Sequence, residues 1–202
     1  MKKLICVLAA VALVLCGLAL GEGRTVLPMA GEIDLTAPAD GIYPVAFAPA
    51  DLAEGALKFT IFTEDCYDIV DIGTLAPGDT IVMGGEEIRV ESVEGEDDLH
   101  INGGLAEGGI DLRAFEEDNC WKAVLEDDYA TFTERGEATL PLAEGVTFTD
   151  GWDIEKEPVT ASGADAVAEA IHGAEMDSFN CANTTLRVEG GAIVEIVRSY
   201  TP

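Results

Sequence analysis

The chain reads as a mainly β protein, a single antiparallel β-barrel or β-sandwich domain with one short helix. Three observations predict this. Short runs rich in Val, Ile, Thr and aromatic residues alternate apolar with polar side chains. Turn residues interrupt them about every 8–12 positions, the spacing of sandwiches and barrels. Two glycine pairs, Gly84-Gly85 and Gly190-Gly191, sit between such runs where tight hairpin turns demand positive φ.

The elements follow in order. Met1-Lys2-Lys3, the apolar stretch Leu4 to Leu20 and the small residues Ala19 and Gly21 predict a cleaved secretory signal over residues 1–21. The stretch is marginal for spanning a bilayer and no basic cluster follows it, which argues against an uncleaved anchor. Cys16 follows Leu13-Val14-Leu15, a partial match to a bacterial lipobox with Leu15 where a small residue is usual, so a lipid anchor at Cys16 is the lesser alternative. Residues 22–55, rich in Pro, Ala and Gly, read as an extended lead-in with at most one edge strand, at Gly41–Phe47.

Residues 56–202 carry the mainly β domain. Strands are expected at Lys58–Thr63 and Tyr67–Ile72, before the turn Pro77-Gly78-Asp79. Thr80–Met83 and Glu86–Val93 form one hairpin. Leu99–Ile101, Gly109–Leu112, Trp121–Leu125, Tyr129–Thr133 and Ala138–Leu142 are further short strands. The hairpin Thr184–Val188 with Ala192–Tyr200 comes last, and its return strand, apolar on both faces, belongs inside a sheet. The helix is expected over Gly163 to His172, with Ser162 as N-cap and Gly173 as its stop. Leu-Ala-Glu-Gly recurs at Leu52–Gly55, Leu105–Gly108 and Leu142–Gly145 without a fixed period, which suggests a reused strand-ending turn.

Charge narrows the function classes. The chain has 202 residues, 39 acidic and 11 basic, for a formal charge of -28. Without residues 1–21, which hold Lys2 and Lys3 and no acid, 39 acidic residues face nine basic ones, a charge of -30. Nucleic acid is thereby excluded as a partner, since phosphate recognition needs clustered Lys and Arg. Docking on anionic lipid by a basic patch is disfavoured for the same reason. With 48% of residues hydrophobic, the chain can still build a core.

Little in the sequence supports catalysis. Only His100 and His172 could serve a nucleophile, and no Gly-x-Ser-x-Gly elbow occurs. No paired-cysteine spacing or His-Glu-x-x-His points to zinc, and no glycine run has the setting of a phosphate loop. Beyond the signal lie Cys66, Cys120 and Cys181. A bridge between Cys66 and Cys120 is favoured by their similar surroundings, and three free, partly buried thiols are the alternative.

Two ligand chemistries suit the remaining residues. Trp152 lies between Asp150 and Asp153, where an aromatic face beside carboxylates could hold a sugar, and core packing is the plainer reading of the tryptophan. Calcium is the cation that suits acidic loops, and Asp97, Asp98 and Asn102 are its candidate ligands. The pattern Asp98-x-His100-x-Asn102-Gly103 departs from an EF-hand loop, with histidine at the third position and Gly109 where the closing glutamate belongs. No other cofactor is implied.

Two stretches carry a family resemblance. Ile101-Asn102-Gly103-Gly104 with Gly109-Ile110-Asp111-Leu112, continuing to Tyr129 and Gly136, is one. Asn183–Val188 through Arg198-Ser199-Tyr200-Thr201-Pro202 is the other. They resemble small secreted β-rich proteins of Gram-positive, gut-type anaerobic bacteria, a family without an established activity. The resemblance covers roughly Lys58 to Pro202, implies one exported domain, and assigns no catalytic residue. The expected function is a secreted, acidic, non-catalytic module of the cell envelope that binds a partner protein, a glycan or a cation. A carboxylate enzyme acting on glycans and a purely structural envelope protein are the alternatives.

Overall fold

The computed structural model describes residues 23–29, 31–96, 98–115, 119–125, 130–174 and 178–201. The signal expected over residues 1–21, Cys16 and Asp97 lie outside them. The protein is mainly β and sandwich-like, with three sheets and two short α-helices among the described residues.

The larger body is a seven-stranded sheet. Its strands are β2 (Gly41–Ala46), β3 (Leu52–Ala53), β4 (Ala56–Glu64), β12 (Phe132–Gly151), β13 (Val159–Ser162), β14 (Thr184–Glu189) and β15 (Ala192–Ser199), in the order β13-β12-β15-β14-β2-β4-β3. β12 also pairs with β4. Its first half runs antiparallel to β4, from Phe132 opposite Glu64 to Pro141 opposite Ala56. Its second half runs parallel to β15, from Thr147 opposite Glu195 to Gly151 opposite Ser199. The register breaks between Leu142 and Thr147, so one strand turns a corner and serves both sides of the layered sheet.

Alternation builds the core of this body. Leu57, Phe59 and Ile61 of β4 point inward, as do Leu186 and Val188 of β14 and Val146 and Phe148 of β12. In β15 the register shifts opposite Arg187 and Val188, leaving Val194 as an extra residue. That bulge brings Ile193 to the same buried face as Ile196 and Arg198. The helix Ala164–His172 covers the face with Val167 and Ile171, each fully buried. Burying an aliphatic side chain of this size stabilises by roughly 1.5–3 kcal/mol.

The second body is inserted between β4 and the β12 that pairs with it. It holds a five-stranded sheet of β5 (Cys66–Asp68), β8 (Val93–Glu94), β9 (Asp98–Ile101), β10 (Ile110–Phe115) and β11 (Cys120–Val124). A three-stranded sheet joins β1 (Thr25–Val26) to the hairpin β6 (Thr80–Met83) and β7 (Glu86–Arg89). Tyr67, Ile72, Ile81, Ile101, Leu112 and Val26 share a core separate from the first. The glycines of the hairpin turn have φ of 59° and 82°, which suits a two-residue turn that twists with its strands.

Asp65 fastens the insertion to the larger sheet. It is 1% exposed, and its two carboxylate oxygens accept from the Gly84 N–H and the Thr133 hydroxyl, both at 2.6 Å. The fully buried Tyr67 hydroxyl donates to the Val82 carbonyl at 2.8 Å. Burial, and then the Asp65 charge beside it, push that phenol far above its ordinary pKa. A disulfide joins Cys66 of β5 to Cys120 of β11 at the base of the insertion.

Several expectations are corrected. Gly41–Ala46 is no edge strand: it lies between β14 and β4, because β4 pairs on both its sides. Tyr67–Ile72 is not one strand. Asp68 accepts from the Val70 and Asp71 amides and starts the helix α1 (Ile69–Gly73) in its place. The helix here numbered α2 (Ala164–His172) has Gly163 at its N-cap with no side-chain cap, Ser162 having been used by β13. Phe132 and Thr133 of the strand expected at Tyr129–Thr133, and the whole of that expected at Ala138–Leu142, belong to the single long β12, while Tyr129 lies outside the described residues. The three Leu-Ala-Glu-Gly segments adopt three conformations, a hairpin turn at Glu54-Gly55, a 3-10 turn at Leu105–Glu107 and the corner of β12.

Replacing Cys66 and Cys120 by Ser should destabilise the insertion by about 2–4 kcal/mol, the usual worth of a bridge closing a loop of this size. Native-state hydrogen exchange should then show the amides of β9–β11 opening well before those of β14 and β15.

Candidate functional site

The residues singled out for ligand binding come together. Asp150 ends the inner face of β12, and the loop after it carries Trp152 and Asp153. All three line a cleft of about 330 Å³. Val159 and Ala161 of β13 form one wall, and Ala170, Gly173 and Ala174 at the C-terminal end of α2 form another. The cleft lies where α2 stops, at Gly173, before the face it covers has ended.

Arg198 makes its floor. It stands opposite Asp150 across the parallel β12–β15 pair. Its side chain is 1% exposed and meets the Asp150 carboxylate twice, Nε to Oδ1 at 2.9 Å and Nη2 to Oδ2 at 2.6 Å. The guanidinium also packs over two rings, 4.6 Å from the centre of Phe179 and 5.5 Å from that of Trp152. A buried guanidinium needs such company, because desolvation of an unpaired charge costs several kcal/mol. Phe179 stacks on Phe47 at 4.5 Å, tying this floor to β2. Trp152 is half-buried and lies 6.1 Å from Tyr200.

Both aspartates of the cleft, which Glu157 also lines, are engaged. Asp150 also accepts from the Trp152 N–H at 3.1 Å. Asp153 pairs with Lys156 at 2.7 Å and accepts from the Glu155 N–H. The Lys156 hydrogen bond, then that of Glu155, holds Asp153 below the usual carboxylate range. A general acid in glycoside hydrolysis needs the opposite shift.

Of the candidate calcium ligands, Asp98 and Asn102 lie among the described residues, each with other partners. Asp98 is exposed and pairs with Arg113 at 3.2 Å. Asn102 adopts φ of 55°, accepts from the Glu91 and Ser92 amides, and donates to the Arg89 carbonyl. Its side chain therefore braces the turn from β7 to β8. Among the described residues no three His, Cys, Asp or Glu side chains are grouped to hold a metal ion.

The Ile101–Leu112 motif is loop architecture. The Gly109 N–H donates to the Gly104 carbonyl at 2.7 Å, and a Cβ on Gly109 would sit 2.0 Å from the Ile101 carbonyl oxygen. His100 Nδ1 lies 2.7 Å from Asp111 Oδ1, which also accepts from the Leu105 N–H. Cys181 is a free thiol, pushed up in pKa by burial.

Sequence reasoning did not find Arg198 as a cleft residue. The signal available was a basic residue directly after the run Ile193–Val197, but that run is apolar on both faces and gave no phase. No protein-family model matches the chain, and no curated protein or solved structure matches it.

Two measurements follow from these contacts. Arg198→Met should lower stability by about 3 kcal/mol, and adding Asp150→Asn should recover part of that loss, since the single change strands a carboxylate beside a buried floor. Additive losses in that cycle would contradict a pair acting as a unit. The His100 pKa is raised above its ordinary 6.5, first by the Asp111 hydrogen bond. The stabilisation it brings is complete below the unfolded value and fades as pH rises through the folded one. NMR titration of the His100 ring should show the raised value, and Asp111→Asn should return it toward 6.5.

Proposed function

We propose that the protein is an exported, acidic, non-catalytic binding module of the cell envelope, and that the cleft at Trp152 receives its ligand, a partner protein or a glycan. One observation carries this reading. Trp152, Asp150 and Asp153 line a single cleft in which both aspartates are already ion-paired, to Arg198 and Lys156. Such a cleft offers an aromatic face and shape, with both of these acids engaged rather than poised to move a proton.

The Cys66–Cys120 bridge is compatible with an extracellular protein, as disulfides persist in oxidising compartments. Among the described residues no helix is long and apolar enough to cross a membrane. The resemblance to small secreted β-rich proteins points the same way.

The test uses Trp121→Phe, which leaves Trp152 as the only tryptophan. Its fluorescence should change saturably with one class of probe among basic peptides, acidic peptides and soluble peptidoglycan or polysaccharide fragments. Trp152→Phe should weaken that binding about tenfold, the worth of an aromatic anchor, with the melting temperature held. The bound probe should be recovered chemically intact. Turnover that disappears with Asp153→Asn would overturn the non-catalytic reading, and undiminished binding by Trp152→Phe would move the site elsewhere.

A further inference from the structure

The cleft borders an open sheet edge. β13 ends the seven-stranded order, so its outer side has no strand partner among the described residues. An unpaired edge offers backbone donors and acceptors to any extended chain that reaches it. Beside it, Val159 of β13 and Ile154 of the preceding loop are each 70% exposed, with Trp152 and Tyr200 close by. Single exposed apolar residues are ordinary, but here they flank a cleft whose walls are Val159, Ala161, Ala170 and Ala174.

Charge says which partner fits. The segment from Asp150 to Glu157 carries four acids against Lys156 alone, in a chain whose residues 22–202 carry -30. Asp150 and Asp153 already have partners, so a sugar's hydroxyls would compete with Arg198 and Lys156 for them. An apolar side chain meets no such shortage.

We propose, resting on the reading of this cleft as the binding site, that its ligand is an extended basic segment of a partner protein. The segment adds as a strand along the open edge of β13. One aromatic or large aliphatic side chain fills the cleft over Arg198 and Trp152, and flanking Lys or Arg side chains face Glu155 and Glu157. This is strand addition with a pocket for specificity, the backbone supplying affinity and the alternate side chains choosing the sequence.

The test titrates the protein with synthetic octapeptides in which a central phenylalanine is flanked by alternating lysine and valine. The readouts are Trp152 fluorescence and the amide NMR shifts of Val159–Ser162. The basic peptide should bind, and replacing its lysines by glutamate should weaken binding about tenfold or more. N-methylation of the backbone amides on the side facing β13 should do the same, because each removes a ladder hydrogen bond. Ala170→Trp, which fills the cleft from α2, should abolish binding, with the unchanged far-ultraviolet spectrum and melt reporting an intact fold.

Binding that ignores N-methylation, or that favours the acidic peptide, overturns the proposal. Saturable binding of a polysaccharide fragment at the cleft with no peptide bound overturns it as well, while leaving the binding-module reading in place. No response of Trp152 to either class of probe overturns both.

Discussion

Strand β12 hydrogen-bonds to β4 with its first half and to β15 with its second, and the corner between Leu142 and Thr147 is what allows it. Most of the architecture depends on this double pairing. The pairing series β12, β15, β14, β2, β4 returns to β12 on its other half, which folds the sheet over one apolar core. β4 and β12 lie side by side although everything from Asp65 to Thr131 separates them in the chain. That pairing is non-local, and its closure entropy is offset by what the insertion buries within itself. The second core, the Cys66–Cys120 bridge and the Asp65 contacts keep the ends of the insertion together where the two strands need them.

The same corner sets up the cleft. Beyond it β12 runs parallel to β15, which places Asp150 opposite Arg198 on the inner face. In a chain so acidic, an arginine with 1% of its side chain exposed is unusual in position as well as in number. It is held by a two-point contact to one carboxylate and by two aromatic faces, and Phe179 passes the contact on to Phe47. The floor of the cleft is therefore rigid and internally neutral, while its rim stays acidic. A rigid floor with a charged rim favours partners that supply an apolar anchor and opposite charge, and its long-range part is sensitive to salt.

Much of the fold was legible because it rests on local physics. The hairpins at Gly84-Gly85 and Gly190-Gly191 follow from positive φ that glycine adopts without strain, and alternation places Leu57, Phe59 and Ile61 in the core. The stop of α2 at Gly173 was visible too, as was the central position of β15 from its run of apolar residues. The α1 turn was missed because Ile69, Val70 and Ile72 are strong strand formers. The Asp68 cap and the exposure of Ile69 and Val70 override that preference.

By itself, then, the sequence determined the β class, the hairpins, the acidic charge and the choice of Trp152, Asp150 and Asp153 as residues of interest, since each depends on neighbours within a few positions. Tertiary structure alone decided that Gly41–Ala46 is interior, that the Asn102 side chain braces the turn from β7 to β8, and that Arg198 is buried against Asp150. The reason is register. A strand apolar on both faces carries no phase of its own, so a bulge at Val194 and a partner strand 48 residues away, at Asp150, choose which side chains point inward.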